Sequence, residues 1–194
     1  MAPIICIIDG NIGCGKSTLL DELKSRGYVT YPEPLDEWQA YLEMYYSDPH
    51  RWAFTTQIAI MFSFKKISKS IEHMDGIVFL ERSPASGMIF TNVEYDLGFI
   101  NDLEYDLVYR QYVDYAIRST YSIVLKLSAA ECKNRIARRA RNCEHDVTLD
   151  YLQKLESEYA KLENVTIIDA CRPTKTIADD IEELIKNSRP IKDI

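Results

Sequence analysis

The sequence predicts an α/β fold in which a five-stranded parallel sheet is flanked by helices. Three observations lead to this prediction. Short apolar runs recur along the chain, each of a length typical of a strand buried on both faces. Segments with helical character separate these runs, so successive strands are expected to be parallel and joined by crossovers. A glycine-rich loop lies between the first apolar run and the first helix, the place where such folds bind phosphate groups.

The individual elements are predicted in chain order. The five predicted strands are Ile4–Ile8, Tyr28–Tyr31, Ile77–Leu80, Ser122–Leu127 and Val165–Ile168. The helix from Lys16 to Arg26 is expected to end at Gly27, because glycine is favoured just beyond a helix C-terminus. Capping residues predict two further helices, one from Ser128 through Arg141 and one from Thr176 to about Arg189.

Two longer predicted helices, residues 52–74 and 101–120, carry more apolar and aromatic side chains than one core-facing stripe requires. Their surplus apolar face predicts packing against a second subunit, so a homodimer is expected. The alternative is that both helices only cover the edge of the sheet.

Composition predicts a single domain over residues 1–194 that acts on a small substrate. A hydrophobic fraction of 46% is enough for one substantial core, and no segment has the composition of a linker. The formal net charge of -7 argues against nucleic acid, which requires an extended basic surface. No apolar run has membrane-spanning length, no cleavable signal pattern is present, and the five cysteines lack paired spacing. We therefore expect a cytoplasmic protein with reduced thiols and no membrane partner.

A phosphate-binding loop is the strongest functional motif of the chain. Residues 10–18 match G-x-x-x-x-G-K-[ST] in the required setting of strand, loop and helix. Glycines let successive backbone N–H groups converge on phosphate oxygens, Lys16 reaches the terminal phosphates, and Ser17 can bind Mg²⁺. The predicted residues for binding a nucleoside triphosphate are Gly10, Asn11, Ile12, Gly13, Cys14, Gly15, Lys16, Ser17 and Thr18.

Acidic and basic side chains follow two more of the predicted strands, at the sheet edge where ligands bind. Glu33 lies between two prolines and is the expected general base, able to take a proton from an attacking hydroxyl. Glu81 is placed near Mg²⁺, and the neighbouring Arg82 can hold phosphate or the Glu33 carboxylate. The alternatives are a structural role for Glu33 and a surface pair for Glu81 and Arg82.

Four arginines, Arg135, Arg138, Arg139 and Arg141, lie within seven residues of the helix that Ser128 begins. A basic run is usually a solvated face. In an acidic protein, however, such concentrated positive charge has an electrostatic cost that a bound anion would relieve. We predict a lid, roughly residues 135–146, that closes over a triphosphate and stabilises the charge of phosphoryl transfer.

Together these motifs resemble those of the deoxyribonucleoside kinase family. They are the phosphate loop, Glu-Pro-x-x-x-Trp at 33–38, Tyr-Ser-Asp-Pro at 46–49 with Trp52 and Gln57, Glu-Arg-Ser at 81–83, the arginine run, Glu144, and Tyr-Leu at 151–152. The resemblance covers essentially the whole chain and is closest to compact viral members. It implies a P-loop kinase fold with an arginine-rich lid, a homodimer, Mg²⁺, and transfer of the ATP γ-phosphate to the 5′-hydroxyl of a deoxynucleoside.

The resemblance also implies roles for individual residues. Glu33 would be the base, Arg82 would hold the 5′-hydroxyl and the transferring phosphate, and Lys16 would complete the catalytic set. ATP would also be bound by Arg135, Arg139 and Arg141, and Mg²⁺ by Ser17 and Glu81. The implied nucleoside-binding residues are Glu33, Trp38, Tyr46, Gln57, Phe64, Arg82, Gly87, Phe90 and Glu144. Gln57 would pair with the base, and the sugar 3′-hydroxyl would meet Tyr46 and Glu144.

Two departures from the family pattern concern the base. Thr56 replaces a common stacking aromatic residue, so stacking would fall to Phe90, although ungapped register places Thr91 at the usual aromatic position. Gly87-Met88 replaces the Asp-Arg of members directed at deoxycytidine and purines. Room beside Gly87 would admit the 5-methyl group of thymine. Thymidine is therefore expected to be favoured, with deoxycytidine and purine deoxynucleosides as further substrates.

Three alternative functions share part of this pattern. A nucleoside monophosphate kinase needs basic residues for the acceptor's phosphate, whereas Glu33, Tyr46 and Gln57 offer neutral or acidic contacts. A GTP-dependent switch normally carries Asn-Lys-x-Asp, which the chain lacks. A nucleotide-binding regulatory protein without turnover would carry the same motifs, and only an activity assay distinguishes it.

Overall fold

The computed structural model describes residues 2–139 and 147–187. Its five strands are parallel and form one sheet in the order β2-β3-β1-β4-β5. They are β1 Ile4–Gly10, β2 Val29–Tyr31, β3 Ile77–Glu81, β4 Tyr121–Lys126 and β5 Thr166–Asp169. The predicted α/β class and all five predicted strands are confirmed.

Eight helices connect and cover the strands within the described residues. They are α1 Lys16–Ser25, α2 Leu35–Ser47, α3 Pro49–Ile71, α4 Pro84–Asp96, α5 Asp102–Tyr115, α6 Ala129–Arg139, α7 Leu149–Tyr159 and α8 Thr174–Asn187. No helix in this part of the chain combines the length and the apolar character needed to cross a bilayer.

Local chemistry explains where the predicted helix ends were right and where they were wrong. Gly27 follows α1 with a φ of 94°, a left-handed conformation suited to glycine, as predicted. The next long helix, α3, begins at Pro49 instead of residue 52, because Asp48 accepts a hydrogen bond from the Arg51 backbone and caps it. Thr174 begins α8 two residues before the predicted start.

The helix predicted over 101–120 ends at Tyr115. Ala116 leaves the helical conformation with a ψ of 128°, and the Thr120 backbone N–H then donates to the Ile5 carbonyl on β1. The chain is already entering the sheet there. Arg141 and Arg189, the predicted ends of two other helices, lie outside the described residues.

The strand order brings three strand ends together. Ile8 of β1 is the register partner of Glu81 on β3, and Tyr31 of β2 is the partner of Leu80. The chain therefore leaves β1, β2 and β3 at the same edge of the sheet. The phosphate loop, residues 32–34 and Arg82 meet at this edge, which is the ligand-binding edge of parallel α/β sheets.

Three helices, α2, α4 and α7, were not predicted as complete elements. α4 is buried on nearly every face, from Ser86 and Gly87 through Val93 and Glu94, so its sequence lacks an amphipathic stripe. Its start is marked by Pro84 and by Ser83 and Ser86, which form a reciprocal capping pair. Helix α4 forms part of the wall of the candidate site.

Candidate active site

A cavity of about 240 Å³ opens at the carboxyl edge of the sheet, beside the phosphate loop. Its wall contains every predicted nucleoside-binding residue that the structure describes, namely Glu33, Trp38, Tyr46, Gln57, Phe64, Arg82, Gly87 and Phe90. Glu144 lies outside the described residues. The cavity therefore gathers these residues from three stretches of the chain, 33–46, 57–64 and 82–90.

The phosphate loop is shaped by glycines that no other residue can replace without a clash. A Cβ on Gly10 would lie 2.6 Å from the Leu125 carbonyl oxygen, and one on Gly13 would lie 2.8 Å from the Cys132 carbonyl oxygen. Both glycines also have positive φ angles, 137° and 80°. The loop is thus pressed against β4 and α6 while α1 points its N-terminus toward the cavity.

Lys16 is the first residue of α1 and is buried. Its Nζ donates hydrogen bonds to the Asn11 carbonyl at 3.0 Å and the Gly10 carbonyl at 3.3 Å. The ammonium group is therefore fixed beside the loop. Cys14 is also buried, and burial raises the pKa of its thiol, which disfavours the thiolate that a nucleophile requires.

Ser17 and Glu81, the two residues predicted to bind Mg²⁺, contact each other. The Ser17 hydroxyl donates to Glu81 Oε1 at 3.1 Å, and both residues line the cavity. Burial, and then repulsion from Glu33, raise the pKa of the Glu81 carboxyl. These oxygen donors fit Mg²⁺, which takes few ligands from the protein and the remainder from substrate phosphates and water. The described residues contain no cluster of three or more His, Cys, Asp or Glu side chains that could hold a metal.

Glu33 and Arg82 form an ion pair in the cavity wall. Arg82 Nε lies 2.6 Å from Glu33 Oε1, and both side chains are mostly shielded from solvent. Arg82 has a φ of 64°, an uncommon left-handed conformation for arginine, and its backbone N–H donates to the Ile8 carbonyl. Its guanidinium also lies over the Phe90 ring, 4.7 Å from the centroid. The strand end, the ion pair and the aromatic ring together fix the guanidinium.

Two residues that sequence analysis missed hold Arg82 from the other side. Arg82 Nη1 lies 3.3 Å from Asp9 Oδ1 and donates to the Tyr159 hydroxyl, which in turn donates to Asp9 at 2.7 Å. Ser86 also donates to the Asp9 carboxylate. A sequence signal existed for Asp9, which is a lone acidic residue at the end of an apolar strand. Tyr159 carries no such signal, since it reaches the site only through the packing of α7.

We predict that Tyr159→Phe lowers the free energy of unfolding by about 1–2 kcal/mol, because it removes buried hydrogen bonds to Asp9 and Arg82. We also expect kcat to fall roughly tenfold through misplacement of the Arg82 guanidinium. Urea denaturation and steady-state kinetics measure the two effects. Tyr95→Phe is the control, because the Tyr95 hydroxyl bonds to Asp102 at the surface. Unchanged stability and kcat in Tyr159→Phe would exclude this positioning role.

The far end of the cavity contains Gln57 and a third residue that sequence analysis missed, Glu94. Gln57 Nε2 donates to Glu94 Oε1 at 2.9 Å, and both side chains are buried. Helical spacing could have found Glu94, which lies two turns beyond Gly87 on the same face of α4. A Cβ on Gly87 would lie 2.7 Å from Met61 Cε. The space that sequence analysis left for a thymine methyl group beside this glycine is therefore filled in part by Met61.

Aromatic side chains form another part of the wall. Trp38 Nε1 donates to Ser63 Oγ at 2.9 Å, and the Trp38 ring meets Phe64 edge to face. Phe90 lines the cavity, whereas Thr91 is buried within α4 and donates to the Gly87 carbonyl. Of the two candidates for stacking on the base, the structure thus places Phe90 in the cavity.

The predicted lid arginines lie in different places. Arg139 lines the main cavity, and Arg141 lies outside the described residues, as does segment 140–146. Arg135 donates to the Cys14 carbonyl at 3.2 Å and the Ala170 carbonyl at 3.0 Å. It also borders a second hollow of about 250 Å³ on the opposite side of the loop, together with Thr18 and Arg172. Arg135 thus joins the phosphate loop to the end of β5.

Comparison with known proteins identifies the family. A model of the deoxynucleoside kinase family matches residues 5–194. A protein of invertebrate iridescent virus 3 that is named as a kinase is 36% identical over 183 residues, covering 92% of this chain and 94% of the relative. The thymidine kinase of Ictalurid herpesvirus 1 is 31% identical over 208 residues, covering 96% of this chain and 88% of the relative.

A solved structure agrees with these matches. Deoxyadenosine kinase from M. mycoides, with the products dCMP and dCDP bound, has a TM-score of 0.85 and 26% identity, covering 95% of this chain and 100% of that one. The predicted P-loop kinase fold is confirmed. These relatives are named for different bases, so membership does not decide the base. The chain belongs to the deoxynucleoside kinase family, whose members are ATP-dependent kinases.

Proposed function

We propose that the protein transfers the γ-phosphate of ATP to the 5′-hydroxyl of a 2′-deoxynucleoside. The observation that carries the proposal is the Glu33–Arg82 ion pair, which lies in a cavity bounded by the phosphate loop at one side and Gln57 at the other. A nucleoside with its base at Gln57 and its 5′-hydroxyl at Glu33 would face the phosphate loop. That placement matches an acceptor waiting for a phosphoryl group.

The residues around the acceptor suit in-line transfer. The Glu33 carboxylate takes the proton of the 5′-hydroxyl as the new P–O bond forms. Arg82, held on both sides, and Lys16 stabilise the negative charge on the transferring phosphate. Ser17 and Glu81 would hold Mg²⁺, which neutralises charge on the β- and γ-phosphates when bound.

The second hollow is a candidate binding site for the adenine base of ATP, the phosphate donor. It lies behind the phosphate loop, and Arg135, Arg172 and Pro173 line it. A triphosphate in the loop would thus have the nucleoside acceptor on one side and its own base on the other. Sequence analysis did not identify Arg172 or Pro173, which follow β5 in a short turn.

A preference for thymidine stays a prediction. Its basis was room beside Gly87, and Met61 takes part of that room. Met88 packs with Met61 and Val108 between α3, α4 and α5, and does not line the cavity.

A homodimer is the assembly that we propose. Phe62 on α3 and Val113 on α5 are each more than half exposed, and Leu107 and Tyr109 on α5 are each nearly half exposed. We predict that Val113→Glu shifts the protein from dimer to monomer, because a charge would be buried in the contact. Sedimentation velocity measures the change, with Lys24→Glu as a control on the exposed side of α1. A wild-type protein that sediments as a monomer would contradict the assembly.

The experiment that tests the function is a turnover panel with ATP, Mg²⁺ and the four deoxynucleosides. Thymidine monophosphate is included as a further acceptor. Phosphorylation of one or more nucleosides supports the proposal. Turnover of the monophosphate alone would indicate a monophosphate kinase, and ATP binding without turnover of any acceptor would indicate a regulatory protein.

A further inference from the structure

The Gln57–Glu94 pair fixes the direction of the amide that faces the base. An amide can present its oxygen or its nitrogen to a given side, and the two directions have the same shape. Here Nε2 donates to Glu94 Oε1 at 2.9 Å. The reverse direction would place the amide oxygen against a carboxylate, so an ionised Glu94 excludes it.

The fixed amide leaves one acceptor unused. Gln57 Oε1 is buried and accepts no hydrogen bond from any described residue. It lies 3.9 Å from the point where a Cβ on Gly87 would project, so it is on the Gly87 side of the cavity. A buried acceptor without a partner is unfavourable, and a donor on the ligand would satisfy it.

We propose that Glu94 is a positioning residue that holds Gln57 Oε1 toward Gly87 and thereby selects bases with an exocyclic amino group, cytosine and adenine, over thymine. The proposal rests on the proposed function, since it assumes that the base lies at Gln57. Because it favours amino-bearing bases, it runs against the thymidine preference predicted from Gly87 and Met88.

The preference for cytosine over thymine follows from the order of hydrogen-bond donors and acceptors along the edge of the base. Sequence analysis places Gly87 beside the 5-position of a pyrimidine, which adjoins position 4. Cytosine has an amino donor at position 4 and an acceptor at N3, whereas thymine has an acceptor and a donor in these positions. An amide with Oε1 on the Gly87 side meets the cytosine donor but opposes the thymine oxygen. An amide free to turn over accepts both bases.

Protonation of Glu94 changes how strongly the direction is enforced. Burial raises the pKa of the Glu94 carboxyl to about 8, partly offset by the hydrogen bond from Gln57. A protonated carboxyl can itself donate to Gln57 Oε1, so both amide directions become accessible. The other ionisable groups facing Glu94 within the described chain are Tyr45 on α2 and Tyr151 on α7. Burial raises the pKa of both hydroxyls, which therefore stay neutral while Glu94 titrates.

The first test compares kcat/KM for deoxycytidine and thymidine in the full chain at about pH 9, above the Glu94 pKa of about 8, where the carboxylate is ionised. In Glu94→Gln the new amide can donate to or accept from Gln57, so neither direction is favoured. We expect the deoxycytidine-to-thymidine ratio to fall on the order of tenfold, with thymidine gaining. Glu158→Gln is the matched control, because Glu158 is buried but bonds to Asn92 outside the cavity. A ratio that is unchanged in Glu94→Gln would overturn the proposal.

The second test needs no variant. Above the pKa of about 8 the ionised carboxylate enforces one amide direction, and below it both are accessible. The wild-type ratio should therefore rise as the pH increases from about 7 to about 9, and it should be flat in Glu94→Gln. A merely structural glutamate would not produce this difference, and a flat wild-type ratio contradicts the proposal. Calorimetric titration with each nucleoside repeats the comparison without catalysis, so a failure of the kinase assignment is distinguishable.

Discussion

Replacing Glu33 with glutamine is expected to lower kcat by roughly 10²-fold or more, the range for loss of a general base. The substitution keeps the shape of the side chain but removes the group that accepts the 5′-hydroxyl proton. It also removes the charge that pairs with Arg82 Nε at 2.6 Å. ATP binding should be largely retained, because the phosphate loop is formed by other residues.

Single-turnover kinetics separates the chemical step from binding in this variant, and nucleotide titration checks the affinity for ATP. Glu37→Gln is the matched control. It makes the same chemical change four residues away, where the carboxylate pairs with Lys66 at the surface and contributes little. Near-normal turnover in Glu33→Gln would remove Glu33 from the mechanism.

The fold could be predicted largely because its signals are local. Each strand is a short apolar run, Gly27 follows α1, and the Ser128 hydroxyl accepts a hydrogen bond from the Glu131 backbone at the start of α6. The helix α4 escaped prediction for a physical reason: it packs on nearly all sides, so no polar face reveals its period. Hydrophobic periodicity in a sequence therefore identifies surface helices better than interior helices.

The residues of the candidate site likewise fall into two groups, those that lie in local motifs and those that act through distant partners. Residues within contiguous motifs, such as Lys16 and Arg82, could be predicted because their chemistry depends on local spacing. Asp9, Tyr159 and Glu94 were missed, since each acts through a partner distant in sequence. Tyr159 meets Arg82 across 77 residues, and Glu94 meets Gln57 across 37. Sequence spacing carries no record of these contacts.

Gly87 illustrates a related limit. A glycine in place of a charged residue suggests free space beside its backbone. A side chain from a neighbouring helix can fill that space. Here Met61 reaches it from α3, and its long flexible side chain suits such gap filling. Glu94 on the next turns of α4 supplies a carboxylate that position 87 lacks. The chemistry of this part of the pocket thus depends on α3 and α4 together.

Removing the charge of Lys16 is expected to lower kcat/KM for ATP on the order of 10²–10³-fold, the scale for deleting one preorganised donor at developing charge. We choose Lys16→Met over alanine because the side chain is buried and methionine preserves its volume. Both ATP affinity and kcat should fall, since the ammonium group neutralises phosphate charge in the ground state and in the transition state. Fluorescent-nucleotide titration and single-turnover assays measure the two effects.

Lys24→Met provides the comparison, because it makes the same substitution on the same helix at an exposed position distant from the loop. Lys16 Nζ also donates to two loop carbonyls, so some loss of stability is expected on that ground alone. Urea denaturation of both variants separates this contribution from catalysis. If Lys16→Met is folded and retains near-normal transfer, the positive charge at this loop does not serve phosphate, and the kinase mechanism proposed for this cavity is wrong.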